Sequence, residues 1–255
     1  MICIYCKKAH KLPSIEHVIP ESIGCPSDAI LQNGQVCEKC NKLLGKKLDL
    51  HVKDAFDILA FEYNIKRKKG KSAIISSRGN LRAEYAKGKA NIYINNSNAP
   101  IVDNGGQRLP AYNKSNPRHI DAKFSRNGNE ISLNFSVIFG DSPKFIRGIF
   151  KIALAAFALE KGSAFALDSQ YDDLRKYINE GFPIYQCICI KEKNSPIQNS
   201  ILHFWEKDGL FLVPIRLFGI DFLCDISPKQ QILPIVLDAF YGSYGKNGWT
   251  CLPVK

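Results

Sequence analysis

The sequence predicts an α+β fold in which a small, cysteine-braced module at the amino end is followed by a larger domain of antiparallel strands and helices. Three observations carry this. Two C-x-x-C pairs, Cys3/Cys6 and Cys37/Cys40, bracket the opening of the chain. Apolar residues then recur at helical spacing as far as about Asn64, and from Lys71 onward short runs alternate apolar with polar residues between turn signals.

At 255 residues, 45% of them hydrophobic, the chain has the material for a sizeable core and for one or two domains. The expected division is a module over 1–64 and a second domain over 65–255. The most apolar run, Phe145 to Leu159, contains Arg147 and Lys151 and falls short of the roughly 20 residues a bilayer span needs, so no membrane segment is expected. The opening MICIYCKKAH enters a cysteine pair without the charged and then apolar regions of a secretory leader, which predicts a cytoplasmic protein. A formal charge of +11 favours polyanionic partners, nucleic acid above all.

The first element is the cysteine framework. Nine cysteines in a chain without a leader read as metal or packing chemistry rather than disulfides. CIYC and CEKC each let one turn present two thiolates to one ion. The intervening chain is long enough to bring Cys3, Cys6, Cys37 and Cys40 together as a closed tetrahedral zinc site, structural because no open position remains. Cys187 and Cys189 alternate in YQCICI, as expected for packing on one face of a strand.

Between the pairs runs SIEHVIPESIG, residues 14–24, and Asn41 directly follows the last cysteine. C-x-x-C, then E-H-V-I-P, then C-x-x-C-N resembles the HNH endonucleases, in the branch whose ββα-metal fold is braced by a four-cysteine zinc; the resemblance covers about residues 1–60. It implies a strand carrying Glu16 and His17 and a helix returning Asn41 to the same pocket. By this resemblance Glu16 and Asn41 bind a catalytic divalent cation, and their oxygens suit magnesium or manganese. Neighbouring strand residues face opposite ways, so His17 stays off the metal and serves as general base, activating water against a phosphodiester to leave 5′-phosphate and 3′-hydroxyl ends. The central asparagine of the motif falls on Gln32 or Asn33, with Asn33 preferred. Asp49, eight residues beyond Asn41, is either a further ligand or an acidic residue on a solvated helix face.

The next element is an amphipathic helix from Cys40 to about Asn64, with Gly45 as a point of interruption. Residues 66–89 then hold nine Lys or Arg against Glu84 alone, opening with Lys66, Arg67, Lys68, Lys69 and Lys71. Phosphate contact and a solvated linker account for this run equally well. KSAIISS, NLRAEY, ANIYINN, HIDAKFS and EISLNFSVIF predict antiparallel strands, with Asn127-Gly128 as a turn. Helices follow at Pro143–Leu159, stopped by Gly162, and at about Asp168–Asn179. Strands return at IYQCICI, ILHFWE, LFLVPIRLF and GIDFLCDI, with Asp208-Gly209 as a hairpin turn. The helix pair is similar to the segment trailing the HNH module in bacterial restriction and phage-defence proteins. The resulting expectation is a restriction or phage-defence nuclease acting on DNA, its second domain positioning or recognising the target. The alternatives are the same centre acting on RNA, or a catalytically inactive, zinc-stabilised nucleic-acid-binding adaptor. One HNH centre cuts one strand at a time, so double-strand cleavage points to a homodimer or sequential nicks; an activating protein partner is the other possibility.

Overall fold

The computed structural model describes residues 1–65, 74–77, 81–86, 89–94, 121–127, 130–136, 142–191, 194–245 and 248–253. Two compact units emerge: one joins Met1–Lys53 to Phe139–Lys255, and the other is Asp54–Ile138. The cysteine-braced segment and the carboxyl-terminal part of the chain thus share one unit. The fold class is α+β, as the alternation and helical runs predict.

The first unit opens with two very short strands, β1 (Glu16–His17) and β2 (Ile30–Leu31). They are antiparallel, with Glu16 opposite Leu31 and His17 opposite Ile30. Helix α1 (Glu38–Leu44) starts on Cys37, whose sulfur accepts the Cys40 N–H. A five-residue π-helical turn, Gly45–Asp49, separates α1 from α2 (Leu50–Glu62). The helical run expected from Cys40 to Asn64 is therefore interrupted at Gly45, where the missing side chain favours a break. The wider π turn shifts the helical phase, so both Leu48 and its neighbour Asp49 are drawn inward.

In the second unit β3 (Ile74–Ser77), β4 (Leu81–Ala86) and β5 (Lys89–Ile94) form an antiparallel sheet in chain order. Strands β6 (Asp121–Asn127) and β7 (Glu130–Ser136) pair as a hairpin with Asn127 opposite Glu130. The alternating patterns predict antiparallel strands here, and Asn127, expected in the turn, is the last paired residue of β6.

The rest of the first unit is built on α3 (Pro143–Lys161), which Pro143 opens and Gly162 ends. From Phe145 to Ala158 nearly every residue of α3 is buried, so this helix forms the core rather than bordering it. After α4 (Ser163–Ala166), Asp168 accepts the Gln170 N–H at 2.8 Å and closes a tight turn. Helix α5 (Asp172–Glu180) consequently begins four residues later than the sequence pattern places it. Strands β8 (Cys187–Lys191), β9 (Ser200–Ile201), β10 (Trp205–Lys207), β11 (Leu210–Leu217) and β12 (Ile220–Asp225) follow. Helix α6 (Leu233–Tyr244) and β13 (Trp249–Leu252) complete the unit. The sheet runs β10-β11-β12-β8-β13, with β9 on β11, and its neighbouring strands are antiparallel. Asp208 and Gly209 both take positive φ at the β10–β11 turn, the backbone that a two-residue hairpin with native twist requires.

Helix α3 packs on this sheet through aromatic contacts: Phe145 on Phe222 at 5.9 Å and Phe157 on Phe211 at 4.9 Å between ring centres. Its other side meets the cysteine-braced segment. Gly148 lies so close that a Cβ there would stand 2.4 Å from Val52 Cγ2 and 3.4 Å from the Leu48 carbonyl oxygen. Two further ties hold that segment. Asn179 donates to the Tyr5 carbonyl at 2.9 Å, while Asn199 donates to the Ile23 carbonyl at 2.6 Å and accepts the Phe218 N–H at 2.9 Å. Among the described residues no helix is long and apolar enough to cross a membrane.

Candidate active site and zinc centre

The four cysteines of the two C-x-x-C turns converge. Their ligand atoms all lie within 4.8 Å of one another, close to the spacing of about 3.8 Å that a tetrahedron with Zn–S bonds of about 2.3 Å demands. Cys3, Cys37 and Cys40 are buried and Cys6 half-buried. A hydrogen bond from Cys40 holds the Cys3 thiol down to about 4 against the opposing effect of burial; the Cys40 thiol is pushed up by that same bond and by burial, and Cys6 by burial. Thiols this close do not ionise together unless a cation neutralises them, which is the service zinc provides. All donors are protein sulfurs and the set is closed, so the site is structural. The donor set therefore fits zinc, as the spacing predicts.

Behind this centre, β1 separates its two side chains as alternation requires. Glu16 is buried and His17 half-exposed. The Glu16 carboxylate accepts the Tyr5 phenol at 3.2 Å and faces the Lys151 ammonium of α3 at 2.6 Å. Both oxygens of Asp49, on the π turn, lie 2.9 Å from the same ammonium. Two carboxylates from separate elements thus converge on one cationic group inside the protein. Burial alone would lower the Lys151 pKa; the attraction of Asp49 and Glu16 overrides it and raises the value, so the lysine stays charged. Burial pushes the Glu16 carboxyl upward while Lys151 opposes it. Tyr5, raised well above its ordinary value by burial and by the charge of Glu16, remains a phenol and a donor.

Asn41 lies in the first turn of α1, beside β1. Its amide donates to the Ile15 carbonyl at 2.7 Å and to Ser14 Oγ at 3.2 Å, so it fixes the strand residue directly before Glu16. The His17 side chain makes no hydrogen bond among the described residues, which leaves its ring available on the half-exposed face. Asn33 is exposed in the bend after β2. Lys66, Arg67, Lys68, Lys69 and Lys71 lie outside the described residues. Of the residues singled out by the sequence, the structure joins the four cysteines in one cluster, Glu16 with Asp49 through Lys151, and Asn41 with the strand leading to Glu16.

Sequence reasoning missed Lys151 and Tyr5. A usable signal exists for Lys151. It is a cation in the middle of an apolar helical run, and a helix buried all round must supply any such charge with an opposite partner.

A cation placed between Glu16 and Asp49 has suitable chemistry around it. Both carboxylates are hard oxygen donors, and the ammonium already seated there marks where positive charge is held.

The two cysteine turns, the short strand pair and the helix that follows them form a segment whose four thiols suit a zinc ion. Residues 3–57 match the family model described as HNH endonuclease, and this segment is the chain's HNH module. No curated protein and no solved structure matches the chain.

Proposed function

We propose that the chain is a metal-dependent HNH endonuclease that hydrolyses DNA phosphodiester bonds to 5′-phosphate and 3′-hydroxyl ends, acting in the cytoplasm in restriction or phage defence. The observation that carries the reading is His17, half-exposed inside the HNH-matched segment and on the opposite strand face from the buried Glu16. The imidazole takes a proton from the attacking water, and a positioned general base of this kind contributes about 10²–10⁴-fold. Asn41 holds Ile15, and through it the strand that presents His17. Glu16, Asp49 and Asn41 are the residues that would hold magnesium or manganese. Such an ion, when bound, stabilises charge on the phosphoryl and leaving oxygens. Asn33 keeps the position of the motif's central asparagine, and the cations of residues 66–71 supply sequence-independent phosphate contacts.

The test is incubation of the zinc-loaded protein with modified and unmodified phage DNA, and with RNA, in magnesium, manganese or EDTA, alongside His17→Ala. The expected result is metal-dependent cutting of DNA that falls at least about 10²-fold in the variant. Cutting confined to RNA transfers the same centre to the other substrate. Two copies of the chain, or an activating protein partner, would show as cutting that depends on concentration or on an added factor. A second reading, an inactive zinc-stabilised nucleic-acid-binding adaptor, draws support from the hold of Lys151 on both carboxylates. It predicts binding without cutting under every condition.

A further inference from the structure

The Glu16–Asp49 seat already contains a cation. An ammonium has three N–H donors, and three carboxylate oxygens, Glu16 Oε1 at 2.6 Å and both Asp49 oxygens at 2.9 Å, surround Lys151 Nζ. The Lys151 side chain is 2% exposed and that of Glu16 2% exposed, so water does little of the neutralising. Tyr5 completes the enclosure by donating to Glu16 Oε1. A divalent cation in this seat would require oxygens at about 2.0–2.1 Å if magnesium. An ammonium within about 4 Å of such an ion would repel it strongly in a medium of low dielectric. The two cations exclude each other.

We propose that Lys151 is an internal competitor for the divalent cation: its ammonium occupies the cation seat between Glu16 and Asp49, and uptake of a metal ion there requires that ammonium to leave. The inference rests on the metal-dependent reading above and adds a control to it. Lys151 belongs to α3, outside the HNH-matched residues 3–57, so the concentration of metal the module needs is set by a residue from elsewhere in the chain. Removing the ammonium leaves the buried Glu16 and the half-buried Asp49 carboxylates without a counter-charge, and a divalent cation is the partner of matching charge.

The experiment reads manganese binding rather than cleavage. Zinc-loaded wild-type protein, Lys151→Met, Asp49→Asn and the double variant are titrated with manganese, free ion being followed by its paramagnetic resonance signal, and melting temperatures are recorded with and without manganese. Lys151→Met is expected to bind manganese at least about tenfold more tightly than wild type and to melt higher in its presence, and the double variant to lose that gain. Equal affinity in wild type and Lys151→Met overturns the proposal. Should Lys151→Met fail to fold, Asp49→Asn decides, because it leaves Lys151 and Glu16 as a one-to-one pair. The proposal expects weak manganese binding in both wild type and Asp49→Asn, whereas tight wild-type binding that Asp49→Asn abolishes overturns it. Failure of the nuclease reading is separately visible as an absence of cutting with these binding results unchanged.

Discussion

Lys151 carries a buried ammonium into the first unit, where Glu16 and Asp49 neutralise it. Breaking a buried ion pair from one side leaves the other partner uncompensated, at a cost of about 3–5 kcal/mol. In metal-free buffer Lys151→Met should therefore lower stability by about that amount, measured by urea unfolding of the zinc-loaded protein. Tyr5→Phe removes one donor to Glu16 and should cost about 0.5–1.5 kcal/mol, a loss too small to unfold the chain. At this scale the sequence was partly legible. Glu16 and His17 point opposite ways because adjacent strand residues must, and Asn41 lies against the residue before β1 because it follows Cys40 in the first turn of α1. The role of Asp49 was open from spacing alone, since a regular helix and a π turn place a residue eight positions on in different directions. Lys151 was invisible as a partner because Asp49 lies 102 residues before it, and nothing local records a contact of that range.

Elements were read best where a period ran long enough to overrule alternatives. The helix at α3, its Gly162 stop and the antiparallel pairings of β11 with β12 and of β6 with β7 all follow from spacing and turn residues. The last two elements, α6 and β13, were not anticipated. Helix α6 begins LPIVLDAF, an apolar run whose face does not alternate cleanly, and Gly242 and Gly245 lower its helical character. What starts it is tertiary: the Asp225 carboxylate at the end of β12 accepts the Ile232 and Leu233 N–H groups, both at 2.8 Å. Two predictions belong here. Gly148→Ala adds a methyl where α3 meets Val52, a stiff branched side chain, and should destabilise by about 1–3 kcal/mol in the same unfolding assay. Stripping zinc with a strong chelator should lower the melting temperature and loosen the module around the cysteines, with re-addition of zinc restoring it; an unchanged melting curve would remove the structural role.

For the whole molecule, the grouping of Met1–Lys53 with Phe139–Lys255 makes the HNH module a part of a larger packed body. A fragment ending at residue 64 lacks Lys151, Asn179 and Asn199, which respectively neutralise Glu16, hold Tyr5 and hold Ile23. Such a fragment, loaded with zinc, should show poorly dispersed amide resonances, while the full chain shows a folded spectrum. The strong positive charge of the molecule gives a further expectation. Replacing Lys66, Arg67, Lys68 and Lys69 together by Ala should flatten the dependence of DNA affinity on salt, by a slope of about 0.9 for each phosphate that is no longer neutralised. An unchanged slope would assign these residues to a solvated linker.

The distance along the chain between Asp49 and Lys151 also has a meaning in time. A ribosome adds about 5–20 residues each second, so the 102 residues that separate them correspond to roughly 5–20 s of synthesis. Throughout that interval the nascent module carries Glu16 and Asp49 with no lysine from α3 to meet them. All four cysteines of the zinc site are likewise made before α3, so the ligands of that site precede the helix that meets Glu16 and Asp49.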